Sequence, residues 1–95
     1  MNKTLKRIDY SNKFLKQIKK IPTPIQVAFR NRFVVFLEDP FRPMLNNHAL
    51  TGKYLGKRSI NITGDWRAVY SETLGDDGEK VMTFHLLGTH SQLYK

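Results

Sequence analysis

The residues of this chain best suited to chemistry fall in its second half and come from a short list of types. His48 sits in NHALTG, Asp65 and Arg67 share GDWRAVY, and His90 and Tyr94 lie in LLGTHSQLY. Imidazole, carboxylate, guanidinium and phenol at strand ends and turns suit the handling of a phosphodiester. RNA is cut without a metal when its 2′-hydroxyl attacks the adjacent phosphate. That reaction needs a base for the hydroxyl proton, an acid for the leaving oxygen and cations for the charge building on phosphate. Histidine fits either proton role because its unperturbed pKa lies near neutrality. Arginine fits the phosphate through its planar, permanently charged fork, and an aromatic ring can hold a base by stacking. If these residues converge the chain is a nuclease; if they do not, it is a basic binding module.

Each residue also has an ordinary role open to it. Asp65 in a turn can accept a hydrogen bond from its own backbone. Arg67 can pair with Glu72 or Asp65, Tyr94 can cap the core, and His48 can be a surface residue. His85, mid-strand with Thr83 and Leu87 as face neighbours, reads as structural. Metal ligation by His48, Asp65 and His90 matches no known ligand spacing, and with no Cys a thiolate zinc site is excluded. No metal and no cofactor is therefore expected. Phosphate-cradling glycine motifs and a nucleophile elbow are absent.

The elements that must position these residues follow from pattern. Ninety-five residues, 40% of them hydrophobic, make one domain spanning 1–95 with a modest core. A first strand is expected over Leu5–Tyr10. Ser11 then caps a helix whose stripe is Phe14, Leu15 and Ile18, ended by Pro22. Thr23 caps a second helix over about Pro24–Glu38 with a main stripe of Ile25, Phe29, Phe33 and Phe36. Val27 and Val34 give it a second apolar face, expected to meet the first helix or else a partner protein. Residues 40–54 read as a long connection. Arg58, Ile60 and Ile62 then alternate with Ser59, Asn61 and Thr63. After a turn, Trp66, Ala68 and Tyr70 alternate with Arg67, Val69 and Ser71. Gly75-Asp76-Asp77-Gly78 signals a hairpin into a last strand, Val81–Leu87, which Gly88 breaks just before His90. The expected fold is α+β, in the order β-α-α-β-β-β, with two helices on a small, mostly antiparallel sheet.

Charge narrows the partners. The formal net charge is +8, and it is uneven. Residues 1–20 carry seven Lys or Arg against Asp9 alone, and residues 41–60 carry Arg42, Lys53, Lys57 and Arg58 with no acid. Residues 61–80 are net acidic. A polyanion, either nucleic acid or an acidic protein, is the natural partner of such a surface. No apolar run approaches the ~18 residues of a membrane span. MNKTLKRIDY has no apolar stretch of a secretory signal, so the cytoplasm is the default compartment.

NHALTGKYLG followed by a strand, then GDWRAVY, then a terminal LLGTHSQLY, resembles the RelE/ParE superfamily of toxins from bacterial type II toxin–antitoxin systems, and within it the YafQ-like branch. The resemblance extends over essentially the whole chain. It implies a ribosome-dependent endoribonuclease acting on mRNA, with rRNA and a cognate antitoxin as partners, and operator DNA met only through that antitoxin. It places His48, Asp65 and His90 at catalytic positions, with Arg67 at the strand arginine of RelE itself. Tyr94 falls at an aromatic substrate-positioning site, and Lys53, Lys57, Arg58 and Asn61 are the accompanying RNA-binding candidates. YafQ-like toxins carry an acid and a histidine on the strand before the DW turn; here Ser59 and Asn61 stand there. A ParE-like gyrase inhibitor and a non-catalytic antitoxin-binding module are the alternatives on the same fold.

Overall fold

The computed structural model describes residues 6–94. The chain runs through strand β1 (Lys6–Tyr10), helix α1 (Asn12–Lys20), helix α2 (Thr23–Glu38), a short strand β2 (His48–Ala49), strands β3 (Arg58–Asn61), β4 (Trp66–Leu74) and β5 (Lys80–Thr89), and a terminal helical turn α3 (His90–Leu93). Two 3-10 turns, Pro43–Leu45 and Gly52–Tyr54, flank β2. The sheet order is β1-β5-β4-β3-β2, with β1 parallel to β5 and every other pairing antiparallel. The expected α+β arrangement stands, with a fifth strand and a third helical turn added. Leu5, expected to open β1, lies outside the described residues.

Local chemistry accounts for the boundaries. Ser11 Oγ accepts from the Phe14 N–H and caps α1. Thr23 is not a cap: α2 begins on it, Pro22 holds the cap position without a side-chain bond, and Pro24 sits in the first turn. In the Gly75–Glu79 turn the Gly75 N–H donates to the Glu79 carbonyl at 2.7 Å, and Gly78 takes φ +83°, which glycine reaches without strain.

One side of the sheet carries α1 and α2 over a core centred on Phe84. Its ring lies 5.3 to 6.1 Å from those of Tyr10, Phe14, Phe29, Phe33, Phe36 and Tyr70. Such separations suit offset and edge-on aromatic pairing. Ile60, Ala68, Met82 and Leu87 complete this layer. Val27 and Val34 do not reach α1; both are exposed, so the second apolar face of α2 has no cover. Residues 40–54 are ordered by Asn47. Its amide donates to the Pro40 carbonyl and the Tyr70 hydroxyl, and its oxygen accepts from Arg58 Nε.

β5 changes phase midway. Tyr70 pairs with Phe84, but Val69 pairs with Leu86, so His85 is the extra residue of a β-bulge. Leu87 consequently points to the helix side and Leu86 to the other, against the simple alternation that put Leu87 beside His85. Nor does Gly88 break the strand; it pairs with Arg67, and β5 runs on to Thr89. On the second side a smaller cluster gathers Leu50, Val69 and Leu93 with Tyr54, Leu86 and Tyr94. His85 Nε2 lies 2.7 Å from Ser71 Oγ on this side.

Two outcomes follow from this packing. Phe84→Ala should lower unfolding free energy by about 3–5 kcal/mol, a large share of a small domain's stability, read as a fall in the urea midpoint. Burial, then the charge of Lys57, hold His85 below its ordinary pKa of 6.5. The unfolded chain therefore binds its proton first, and this residue's contribution to stability is complete above pH 6.5 and shrinks as pH falls toward the folded pKa. His85→Gln should flatten that part of a stability-against-pH curve; an identical slope in both proteins would show that His85 is not its source.

Candidate active site

The candidate site lies at the end of the sheet where β3 turns into β4 and β5 turns into α3. Thr63 Oγ1 caps the β3–β4 turn, accepting from the Trp66 N–H at 3.2 Å. Asp65 is thus relieved of capping duty, and the residue is exposed. Its backbone carbonyl accepts the His90 N–H at 2.9 Å, joining the turn to the first residue of α3. Thr89 caps α3 through the Gln92 N–H, while the Gln92 side chain accepts the Thr89 N–H, a complete capping box. His90 and Tyr94, one turn apart, stack edge to face at 4.8 Å.

Gly88 lets α3 fold back this closely. A Cβ there would come within 3.0 Å of Gln92 Oε1 and 3.4 Å of Leu93, so a larger residue would need those side chains to give by a few tenths of an ångström. Gly88 pairs with Arg67 and Arg67 with Asn61, placing the three on one row of the second face. Arg67 Nη1 donates to the carbonyls of Gly64 at 2.9 Å and Thr63 at 3.1 Å, so part of the guanidinium is bound to the turn it follows. It pairs with neither Glu72 nor Asp65 among the described residues.

His48 belongs to a neighbouring row, Leu86–Val69–Ser59–His48, on the same face. Three strand spacings, roughly 14 Å, separate its strand from β5. The two histidines are therefore too far apart to touch each other. The Asn46 carbonyl lies 2.9 Å from His48 Nδ1 and can only accept, so Nδ1 is the donor, and in the neutral ring the lone pair is on Nε2. Exposed His48 needs no rearrangement to present it.

Between these residues the face is closed by the smaller cluster of Leu50, Val69 and Leu93. Ser59 Oγ, Asn61 Oδ1 and the Tyr94 hydroxyl are shut off from solvent, and none has a hydrogen-bond partner. Lys57 acts electrostatically on His85 and so belongs to this side. Lys53 is exposed, its ammonium 5.2 Å from the Tyr54 ring. Arg58 stands apart. It pairs with Tyr70 on the helix-facing side, donates to Asn47 and lies 5.1 Å from the Phe41 ring. Among the described residues no three His, Asp or Glu side chains are grouped to hold a metal ion. The pattern reading overlooked the capping box and Gly88's close approach to α3. The Thr-x-x-Gln spacing at Thr89–Gln92 carried the first signal.

No family model matches the sequence, and no curated protein matches it. Solved structures do. YafQ from E. coli strain BL21(DE3) superposes with a TM-score of 0.75 at 22% identity, over 95% of this chain and 99% of that one. The YoeB/ParE toxin from Agrobacterium tumefaciens gives 0.70 at 16% identity, over 88% and 98%. The toxin–antitoxin complex RelBE2 from Mycobacterium tuberculosis gives 0.66 at 16% identity, over 88% and 96%. At such identities the likeness speaks for architecture, and the architecture agrees along the whole length of each. The chain has the RelE/YafQ-like toxin fold.

Proposed function

We propose that this protein is the toxin of a bacterial toxin–antitoxin pair and an endoribonuclease that cuts mRNA on the ribosome without a metal ion. One observation carries the reading. The hydrogen bond from the His90 N–H to the Asp65 carbonyl, with Gly88 opposite Arg67, unites two sequence blocks, GDWRAVY and GTHSQLY, at one end of a toxin-type sheet. His48 of the third block, NHALTG, lies across the same face.

In this reading His48 Nε2 accepts the proton of the 2′-hydroxyl as that oxygen bonds to phosphorus. His90 gives a proton to the 5′-oxygen as its bond to phosphorus breaks, leaving a 2′,3′-cyclic phosphate and a 5′-hydroxyl end. The donors of Arg67 not spent on the turn meet the phosphate oxygens, and Asp65, tied to His90 through its backbone carbonyl, presents its carboxylate at the same turn. Tyr94 offers a ring for a base, and Lys53 and Lys57 hold flanking phosphates. Asn61 stands where YafQ-like toxins carry an imidazole and cannot take a proton, so that role falls to the histidines. Arg58 acts indirectly, by ordering the loop that carries His48.

The RelBE2 structure is a toxin–antitoxin complex, which supports a protein antitoxin as partner here. The Lys-rich face of α1 and the exposed Val27 and Val34 are surfaces such a partner can cover with acidic and apolar groups. The cytoplasm, where ribosomes are, is the compartment the proposal requires.

The test is expression of His90→Ala and Asp65→Ala variants beside the parent chain. The parent should arrest growth and leave transcripts with new 5′-hydroxyl ends. His90→Ala should cut about 10²–10⁴-fold more slowly while keeping its unfolding midpoint, as loss of a proton-transfer group does. Undiminished toxicity in both variants would remove these residues from the mechanism. Arrest with DNA damage and intact transcripts would mark a gyrase inhibitor instead.

A further inference from the structure

We propose that the groove between α1 and α3 binds one nucleotide of the substrate RNA next to the cut, reading an acceptor-rich base edge with two glutamine amides. The inference rests on the RNA-cleaving reading above and concerns which base it selects. β5 keeps its parallel partner only as far as Phe84, because the chain leaves β1 at Tyr10 and turns into α1 at Ser11. The next N–H groups along this strand edge are capped by side chains. Gln17 Oε1 accepts from Leu87 N and Gln92 Oε1 from Thr89 N, each at 2.8 Å. Using the oxygen in this way fixes each amide, so that Nε2 is what remains to be offered, and it can only donate.

Both glutamines line a groove of about 400 Å3 over this edge, with Lys13 and Lys20 on the α1 side and Trp66 and Leu87 among the apolar surfaces. No carboxylate lines it. Indole, ammonium and both amides are donors, so the groove asks for acceptors beside a flat apolar body and a negative charge. A nucleotide meets all three demands. Guanine turns two acceptors, O6 and N7, along one edge, whereas adenine sets a donor beside its N7 and would face donor against donor. The place also fits: Trp66 follows Asp65, and Gln92 is two residues beyond His90, so a strand crossing the candidate site continues over α3 into the groove.

Trp66 is the chain's single tryptophan, so its emission reports occupancy directly. Guanosine 5′-monophosphate should change that emission saturably and shift the side-chain amide NMR signals of Gln17 and Gln92. Adenosine 5′-monophosphate should bind roughly tenfold more weakly. In a Gln17→Glu, Gln92→Glu double variant each backbone N–H keeps an oxygen, and Glu serves as well as Gln in the capping box. The donors are lost there and negative charge is added, so guanosine monophosphate binding should disappear. Equal response to the two nucleotides overturns the proposal, and that comparison needs no variant. A response unchanged in a folded double variant, or one to a polyglutamate peptide and to neither nucleotide, overturns it as well. Flat titrations with transcript cleavage intact end the groove assignment alone. Absence of cleavage with nucleotide binding intact ends the nuclease reading instead.

Discussion

The single extra residue in β5 governs where everything at the C-terminal end is placed. Up to Phe84 the strand sends alternate side chains into the aromatic layer under α1 and α2. His85 then lets two successive residues, His85 and Leu86, share the second face opposite Val69. Because side chains alternate with a period of two, this one insertion reverses the facing of all that follows. Leu87 is returned to the main core, Leu86 joins the smaller cluster, and Gly88 arrives under α3. Without the bulge, a leucine would stand where the turn needs glycine. The capping box and the His90 N–H bond to Asp65 depend on that fit, so the site inherits its geometry from a packing decision several residues earlier.

The two faces of the sheet are held to different standards. The helix side is nearly all aromatic and aliphatic, and it carries the stability. The second side seals Ser59 Oγ, Asn61 Oδ1 and the Tyr94 hydroxyl away from water with no partner, at a cost of roughly 1–3 kcal/mol for each such group. A fold tolerates this where the first face has stability to spare, and local rules are broken most often at functional sites. Charge is divided along the other axis. β4 has nine residues, so its ends lie roughly 27 Å apart. Asp76, Asp77 and Glu79 occupy the hairpin at one end, while Lys20 and the candidate site lie toward the other.

Much of this was legible in the residues, for identifiable reasons. Ser11, the Gly75–Gly78 turn and the Trp66-Ala68-Tyr70 alternation act over a few residues, and short-range chemistry can be read directly. The bulge was hidden because it depends on register against β4, a partner that the β5 sequence does not name. Propensity alone makes Gly88 a strand end, whereas its small size serves a close approach made by residues that follow it. β2 has two residues and exists only through pairing with β3, which no local pattern announces. The facing of Arg58 was already contained in its alternation with Ser59: sharing a face with Ile60 put it on the helix side. Val27 and Val34 were assigned a cover because apolar residues favour burial, yet a helix can show an apolar flank to solvent without unfolding.

The same contrast explains how the fold is shared with toxins at 16% to 22% identity when no family model matches the sequence. In this chain the architecture rests on a facing pattern, an aromatic centre, a hairpin and a last turn packed close on Gly88. Many sequences meet those demands, so structure can persist after sequence likeness has faded. Chemistry is less forgiving. With Ser59 and Asn61 where the resemblance calls for a carboxylate and an imidazole, the proposed proton transfer falls to His48 at one side and His90 at the other. In the proposed reaction that separation calls for a substrate reaching from one to the other. Such a substrate must be held at several points along its length, and the basic α1 flank and the donor-lined groove beyond α3 lie where an extended strand would meet them.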